Sequence, residues 1–246
     1  YFDDGTPLGT FAAEECQIDT IAQSWAVLSG VAAPDKALTA MANVEAHLID
    51  WTDRIAQLFD PPFRHHMPDP GYIQGYPPGI RENGGQYTHG AIWAIFAYAK
   101  LGDTEKAGRL FSLINPINHA LTKGDAELYK VEPYAIAADI YSVEPHRGRG
   151  GWTWYTGAAG WSYRAGLEAV LGIRRTGSQL KIQPCVPREW PHVEVAYKYG
   201  NRSITLNFVR QRSNSSAIVA LESQNGICHL DLDGVAENAS FEVLLT

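Results

Sequence analysis

The sequence predicts a mainly α-helical protein in which helical hairpins follow one another and an antiparallel β part comes last. Three observations lead to this fold class. Apolar residues recur every three or four positions over about residues 16–172, as on the buried face of a helix. From Arg174 onwards, apolar and polar residues alternate, as in strands with one buried face. The chain has 246 residues, of which 45% are hydrophobic, so it can bury a sizeable core.

The helical elements are expected in the following order. Residues 17–30 have apolar side chains at helical spacing, and the helix stops at Gly30. Pro34 and Asp35 begin a second helix, in which helical spacing continues as far as Phe59. Residues 60–80 contain six prolines and are expected to form an ordered loop. Further helices are expected over residues 88–101, from residue 103 or 104 onwards, over 133–142 and over 156–172.

The β part contains one clear hairpin, in which Gly200-Asn201 forms a tight turn between two alternating runs. The part before it holds five or six predicted helices, about half of what a closed toroid of helical hairpins needs. Because the chain begins in a predicted strand, we expect a preceding region to supply the partner helices.

The composition argues against several classes of partner. The formal net charge is −7 and no run of Lys or Arg is present, which argues against nucleic acid. No stretch reaches the roughly 18 apolar residues of a membrane span, so we expect no membrane contact by this segment. The three cysteines are far apart and form no C-x-x-C pair, so we expect reduced thiols in a cytoplasmic protein.

The first candidate site is the string RENGGQYTHG, residues 81–90, which places polar side chains just before an apolar helix. His89 is expected at the N-terminus of that helix, where free backbone N–H groups and the helix dipole favour an anion. Glu82 and Asn83 offer the acceptors and donors that sugar hydroxyls require, and two glycines permit a close approach of the backbone to a ligand. The alternative is a turn-forming loop whose polar groups satisfy one another.

The second candidate site is the string GRGGWTWYTGAAGW, residues 148–161. Thr156 and Gly157 are expected at another helix start, where a hydroxyl and main-chain N–H groups can bind an anion. Trp152 and Trp154 offer flat apolar faces of the kind that stack on pyranose rings. The alternative is a Trp-rich core. Two loops that each begin a helix with donor groups favour a site of phosphate size.

Other motifs are less informative. Asp19 and Glu132 lie near expected helix starts, where an acid is an ordinary capping residue. The side chains of His65 and His66 diverge, so with Asp69 they indicate a solvated loop and no metal site. The sequence contains no G-x-S-x-G string, and GRGG fits neither a Walker motif nor a dinucleotide-binding motif.

Five long strings occur in an order that resembles one enzyme family: YFDDGTPLG, QIDTIAQSWAVLSG, PGYIQGYPPGIRENGGQYTHGAIWA, YKVEPYAIAADIYS and GRGGWTWYTGAAGW. Together they resemble the C-terminal half of a glycoside hydrolase family 94 enzyme. The cyclic β-1,2-glucan synthase branch is the most similar, and cellobiose and chitobiose phosphorylases are relatives. The resemblance implies a partial (α/α)6 barrel, the C-terminal portion of the catalytic domain, over residues 1–172 and a C-terminal antiparallel β domain over residues 173–246.

The resemblance also implies roles for single residues. The family binds phosphate through a His in its ENGG…H motif and a Thr-Gly pair in its W-Y-T-G-x-A-G-W motif, which correspond to His89, Thr156 and Gly157 here. The Glu of ENGG is a sugar-contacting position, and the residue before it is commonly Lys in the relatives but Arg here. With a tyrosine of the proline-rich loop and a tryptophan of the second string added, the expected sugar-binding residues are Glu82, Arg81, Tyr76 and Trp154.

The reaction implied by the resemblance is an inverting phosphorolysis with inorganic phosphate as co-substrate and no cofactor. The family's general acid is the Asp of a W-N-D-G motif that precedes YFDDG, and this sequence contains no such motif. Asp3 and Asp4 are not that acid, so we expect no catalytic residue in this chain. The expected partners are a β-glucan or oligosaccharide, inorganic phosphate and the N-terminal part of the barrel. The expected location is cytoplasmic, for a parent protein that is free or tethered to the inner membrane.

Two other functions remain open at this point. One is a non-catalytic carbohydrate-binding module that keeps the sugar-binding wall. The other is an (α/α)6 glycoside hydrolase in which Glu82 or another acid activates water. The hydrolase requires two opposed carboxylates roughly 6.5–9.5 Å apart.

Overall fold

The computed structural model describes residues 1–212 and 218–245. The chain forms two compact units, Tyr1–Ala165 and Gly166–Thr246. The assignment of residues 1–172 to a catalytic domain and of 173–246 to a β domain stays a prediction. Among the described residues, none of the helices has the length and apolar character needed to cross a bilayer.

The first unit contains all six α-helices of the described residues. Their bounds are α1 Thr20–Ser29, α2 Pro34–Leu48, α3 Thr88–Lys100, α4 Thr104–Leu113, α5 Lys123–Tyr129 and α6 Thr156–Arg164. α1 has the caps expected from the sequence: the Asp19 side chain accepts from Ala22 N, and Gly30 ends the helix with a φ of 79°. α6 continues into a π-helical segment, Ala165–Val170.

The first unit also contains six strands of two residues each. They are β1 Ile18–Asp19, β2 Ile49–Asp50, β3 Ile55–Ala56, β4 Phe59–Asp60, β5 Gln86–Tyr87 and β6 Asp139–Ile140. They pair antiparallel as β1 with β4, β2 with β3 and β5 with β6. Because β1 leads directly into α1 and β5 into α3, two of these pairs hold the start of a helix in place.

The fold class predicted from the sequence is wrong. Of the residues that the structure describes, 34% are helical and 22% are in strands, with several small sheets, so the fold is not mainly α-helical. Part of the error lies in α2, which ends at Leu48, whereas Ile55 and Phe59 belong to short strands. Their spacing matched a helix by coincidence, because buried apolar residues of a short strand and of a helix look alike over a few positions.

The expected helix over residues 133–142 is also wrong. This segment is extended around β6, and it pairs with the chain before α6 through Ala138 N to Trp152 O at 2.6 Å and Tyr155 N to Ile136 O at 3.1 Å. Its alanines and Ile140 are buried on both faces of the strand, so no alternation was visible in the sequence. A helix forms earlier instead, α5, with a capping box between Thr122 and Asp125.

α3 is the central helix of the first unit. Nine of its residues are buried, as the apolar sequence predicted. Its Trp93 ring contacts Trp25 of α1 at 5.4 Å between centroids, and its Phe96 ring contacts Trp161 of α6 at 5.7 Å. The Tyr98 hydroxyl donates to Met41 O of α2 at 2.9 Å. α3 therefore packs against α1, α2 and α6, and it also contacts α4.

The second unit consists of two four-stranded sheets. Its strands are β7 Ile173–Thr176, β8 Gln179–Ile182, β9 His192–Tyr199, β10 Arg202–Val209, β11 Val219–Ala220, β12 Ser223–Gln224, β13 Ile227–Asp231 and β14 Ser240–Leu244. The sheet orders are β11-β14-β10-β9 and β12-β13-β8-β7. Fully buried side chains from both sheets, among them Ile182, Leu206 and Val243, share one core cluster.

The prediction of an antiparallel β domain is wrong for the first of these sheets. The predicted hairpin is present, since β9 and β10 pair antiparallel with Tyr199 opposite Arg202. β14, however, pairs parallel with both β10 and β11. Alternation along a strand indicates which side chains are buried, but it does not indicate whether the neighbouring strands run parallel or antiparallel. The parallel pairing of β14 could therefore not be predicted from this pattern.

Candidate functional site

The two candidate loops meet where α3 and α6 begin. Tyr87 precedes α3, Tyr155 precedes α6, and their hydroxyls are 3.0 Å apart. Burial raises the pKa of the Tyr87 hydroxyl, and the Tyr155 hydroxyl and the charge of Glu82 raise it further. Neither helix start has a side-chain cap. The starts of α3 and α6 are therefore linked through these two tyrosines, and the Thr88 N–H at the start of α3 already donates to Ala138 O at 2.9 Å.

His89 lies in the first turn of α3 and faces α6. Its ring centroid is 4.5 Å from that of Trp93 and 5.9 Å from that of Trp161. Its Nε2 atom is buried and has no hydrogen-bond partner among the described residues, and the same holds for Trp93 Nε1. Burial lowers the pKa of His89, which favours the neutral imidazole. A neutral His with a free nitrogen can donate to an anion or a hydroxyl group.

Thr156 and Gly157 form the open start of α6. Both are exposed. A Cβ atom added to Gly157 would meet no atom within 4 Å, so space is available directly beside the main chain. The Thr156 hydroxyl and the N–H groups of this turn are therefore accessible to an anion.

Arg81 and Glu82 carry the free polar groups of the first loop. Arg81 Nε lies 3.5 Å from Glu82 Oε2, and both atoms are buried without a hydrogen-bond partner among the described residues. The Arg81 guanidinium stands 5.4 Å from the centroid of the Tyr76 ring. Burial opposes the charge of Arg81, but Glu82, Asp139 and Tyr76 outweigh it, so the pKa of Arg81 rises. Arg81 therefore stays charged, and both side chains keep hydrogen-bonding capacity for a ligand.

Asn83 does not face a ligand, which contradicts the expectation from the sequence. It is fully buried, and its side chain accepts from Phe63 N at 2.7 Å and donates to the carbonyls of Phe63 at 2.9 Å and Tyr76 at 2.7 Å. Gln86 is buried as well and accepts from Ala56 N at 2.8 Å. These two amides fix the proline-rich loop and strand β3 in place. They match the alternative of a loop that satisfies its own polar groups.

The glycines of the first loop also serve packing. Gly84 has a φ of 79°, and a Cβ atom there would lie 2.8 Å from Pro62 Cβ. At Gly85 the added atom would lie 2.9 Å from Arg81 O. Both positions exclude a side chain because protein atoms already fill the space, so neither glycine provides room for a ligand.

Asp139 connects the two loops, and it was not among the residues predicted from the sequence. Its Oδ2 accepts from Arg81 N at 3.1 Å and its Oδ1 from Trp152 N at 3.2 Å. The residue is 1% exposed. Burial raises the pKa of this carboxyl, and the two main-chain donors oppose the rise. The sequence indicates such a residue through the single acid in the apolar run AIAADIY, because an acid buried among apolar residues requires hydrogen-bond partners.

Trp154 stands apart from the first loop. It is exposed, has a φ of 59°, and its ring contacts Tyr134 at 6.0 Å between centroids. The predicted residues thus form three groups: Tyr76 with Arg81 and Glu82, His89 with the open start of α6, and Trp154 beside that start. Among the described residues, no group of three or more His, Cys, Asp or Glu is arranged to hold a metal ion.

Comparison with known proteins assigns the family. Residues 1–172 match the family described as the glycosyl hydrolase 94 superfamily, catalytic domain. The chain belongs to this superfamily. The resemblance inferred from the five sequence strings is therefore confirmed.

This family 94 chain is similar to a glucan synthase and to glycoside phosphorylases. It is 48% identical, over 91% of its length, to the cyclic beta-(1,2)-glucan synthase NdvB of Rhizobium meliloti. It is 31% identical over 88% to the 3-O-beta-D-glucopyranosyl-beta-D-glucuronide phosphorylase of Paenibacillus borealis, and 30% identical over 79% to the N,N'-diacetylchitobiose phosphorylase of Vibrio proteolyticus. The chain spans 8%, 28% and 24% of the lengths of these three relatives.

Proposed function

We propose that this family 94 chain supplies phosphate- and sugar-binding residues for an inverting phosphorolysis of a β-glucan, as part of a glucan phosphorylase or a cyclic β-1,2-glucan synthase. The observation that supports it most is the adjacency of the α3 and α6 starts, where His89 and the open turn of Thr156 and Gly157 share one region. Relatives named phosphorylases and a glucan synthase support the same choice.

Phosphate is the nucleophile of the proposed reaction. The Thr156 hydroxyl, the N–H groups of the first turn of α6 and the His89 imidazole hold it by hydrogen bonds and by the helix dipole. One phosphate oxygen attacks the anomeric carbon while the bond to the glycosidic oxygen breaks, through an oxocarbenium-like transition state. Because phosphate is already an anion, no protein base is needed to activate water. These groups contribute positioning and charge stabilisation.

The sugar next to the phosphate is bound by Glu82, Arg81 and Tyr76, and Trp154 contacts the sugar chain at the edge of the site. The Glu82 carboxyl group accepts from sugar hydroxyls, and the Arg81 side chain lies beside it. The proton for the leaving oxygen comes from a carboxylic acid outside these 246 residues. The products are glucose 1-phosphate of inverted configuration and a glucan shortened by one unit.

A hydrolase mechanism receives no support from the carboxylates of the site. The carboxylate that lies near Glu82 is Asp139, and it is buried with both oxygens bonded to main-chain N–H groups. A carboxylate so placed cannot activate a water molecule. The second candidate function is a carbohydrate-binding module, which the exposed aromatic residues near α6 favour.

Phosphate titration by calorimetry tests the proposal on this chain. His89→Ala should weaken phosphate binding about 10- to 100-fold, because a hydrogen bond to a charged group contributes roughly 1.5–3 kcal/mol. His192→Ala, at an exposed position of β9, is the matched control and should bind as the original chain does. Equal affinities of the original chain and His89→Ala would contradict the proposal. Glucan binding that responds to neither phosphate nor His89→Ala would favour the carbohydrate-binding module.

A further inference from the structure

Three large aromatic side chains lie exposed beside the start of α6. Tyr134, Trp152 and Trp154 are 75%, 67% and 64% exposed. The rings of Tyr134 and Trp154 touch at an interplanar angle of 69°. Clustered exposed aromatic surface of this kind marks a binding site more often than scattered single residues do. These three residues are called the aromatic platform below.

The main chain under the aromatic platform is held in place. The segment before Asp139 and the segment before α6 pair through Ala138 N to Trp152 O and Tyr155 N to Ile136 O. Trp152 N also donates to the Asp139 side chain. Trp154 adopts a left-handed φ of 59°, which is unusual for a bulky residue and requires support from its surroundings. The outward direction of these rings is therefore a property of an ordered backbone.

The aromatic platform has a polar neighbour. The Glu132 carboxyl has a lowered pKa because of its own main-chain N–H, then the Thr153 side chain, and it also interacts with the Trp154 side chain. An ionised carboxylate next to exposed rings is a mixed surface: flat and apolar in one part, hydrogen-bond accepting in another. A pyranose ring is matched to such a surface, because its C–H face is apolar and its rim carries hydroxyl donors.

The aromatic platform is connected to the proposed site at two points. Trp154 is two residues before Thr156, and Trp152 is four residues before it, so Trp152 lies at most about 13 Å from Thr156 along an extended chain. Asp139 bonds Trp152 N and Arg81 N at the same time. A sugar chain that leaves the Glu82 region can therefore reach the platform within a few units.

We propose that the aromatic platform is an additional subsite for the extended part of a glucan chain, so that the ligand of this site is a β-glucan longer than a disaccharide. The inference rests on the proposed function, since it assumes that one end of the chain is bound by Glu82 and its neighbours. The rings stack on successive sugar units, and Glu132 accepts from their hydroxyls.

Calorimetry with β-1,2-linked gluco-oligosaccharides of two units and of six units tests the subsite on this chain. We expect the longer ligand to bind about 10-fold more tightly. Tyr134→Ala and Trp152→Ala should each weaken its binding about 5- to 10-fold, since one aromatic contact contributes about 1 kcal/mol. The affinity for the two-unit ligand should change less than about twofold in both variants. Tyr163→Ala, at an exposed tyrosine of α6, is the matched control and should leave both affinities unchanged.

The outcomes separate the subsite from the proposed function. Equal affinity for both lengths, or equal loss for both lengths in Tyr134→Ala and Trp152→Ala, overturns the subsite alone. A chain that binds neither length overturns both proposals. Glu82→Gln should weaken both lengths alike. If it weakens neither while the longer ligand still requires Tyr134, the proposed function fails and the aromatic platform stands as an independent sugar-binding surface.

Discussion

Asp139 is the residue on which the geometry of the candidate site depends most. Its two oxygens hold Arg81 N and Trp152 N, and thereby hold both loops. Next to it, a Cβ atom at Gly151 would lie 2.3 Å from Asp139 Oδ1, so the neighbouring loop must carry a glycine there. The carboxylate acts here as a double acceptor, and its contribution is to position the residues that bind.

Asp139→Asn should destabilise the chain by about 1–3 kcal/mol, because its NH2 group replaces one acceptor and leaves a buried main-chain N–H unpaired. Asp139→Ala should destabilise it more, since it removes both acceptors and leaves a cavity. Urea unfolding followed by circular dichroism measures both. Asp3→Asn, at an exposed position, is the matched control and should not change the unfolding free energy. An Asp139→Asn variant as stable as the original chain would show that the two hydrogen bonds do not hold the loops.

Single residues of the site differ in how far the sequence could predict them. His89 and Thr156 follow from helix starts that local patterns reveal. Asn83 was assigned to a ligand and is a structural residue, because its partners at Phe63 and Tyr76 lie in another segment. The sequence of a loop shows which hydrogen bonds its side chains can form. The fold determines which of those hydrogen bonds are made to other protein atoms.

At the scale of elements, the helices with strong local signals were predicted and the paired short strands were not. α1 has both of its caps in the sequence, and α3 shows its burial in composition. α5 begins with a capping box of Thr122 and Asp125, which is a local signal for a helix start. The pair β5 and β6 joins residues more than fifty positions apart. A strand of two residues is too short to show an alternation of apolar and polar residues. Such a pair can therefore be recognised only in the three-dimensional structure.

His119 illustrates how a buried side chain joins two elements. It ends the short 3-10 turn Pro116–His119, its Nε2 bonds Leu113 O at 2.8 Å, and its ring stacks on Tyr129 at 5.0 Å. The end of α4 and the end of α5 are thus fastened by one imidazole. The bond requires the proton on Nε2, so the neutral ring already satisfies it.

The unfolding free energy should therefore depend on pH through His119. Burial lowers the pKa of His119 to about 4, while the bond to Leu113 O raises it, Arg54 lowers it and Asp125 raises it. The unfolded chain takes up a proton near pH 6.5 and the folded chain does not, so the contribution is complete above about pH 6.5 and is lost as pH falls towards 4. The loss should amount to at most ~3 kcal/mol.

Urea unfolding at several pH values between 7 and 4 measures this dependence. His119→Gln should unfold more easily at pH 7 and show a flatter profile over this range. His229→Gln, at an exposed position of β13, is the matched control and should keep the original profile. A profile that is the same with and without His119 would assign the pH dependence to other groups.

At the scale of the whole molecule, the family was recognisable from the sequence and the fold class was not. Long strings in a fixed order identify a family because many of their residues are required either by the functional site or by the packing of the fold. Fold class was inferred from periodicity, which gave too much helix around residues 50–59 and 133–142 and the wrong sheet type after residue 173. The pairs β1–β4, β5–β6 and β10–β14 join distant segments, which no local window contains, whereas β2 and β3 pair within eight residues and were mistaken for the continuation of a helix.

The whole chain should bind phosphate and glucan without turning them over. Departure of the leaving sugar requires a proton, and a general acid contributes about 10²- to 10⁴-fold to such a step. Neither carboxylate of the site is placed to donate one: Glu82 pairs with Arg81 at 3.5 Å, and both oxygens of Asp139 accept main-chain hydrogen bonds. Incubation with β-1,2-gluco-oligosaccharides and phosphate, followed by phosphorus NMR, should therefore show no glucose 1-phosphate above the protein-free control. Release that the original chain shows and Glu82→Gln lacks would mean that Glu82 is itself the acid, and that its pairing with Arg81 opens when the sugar binds.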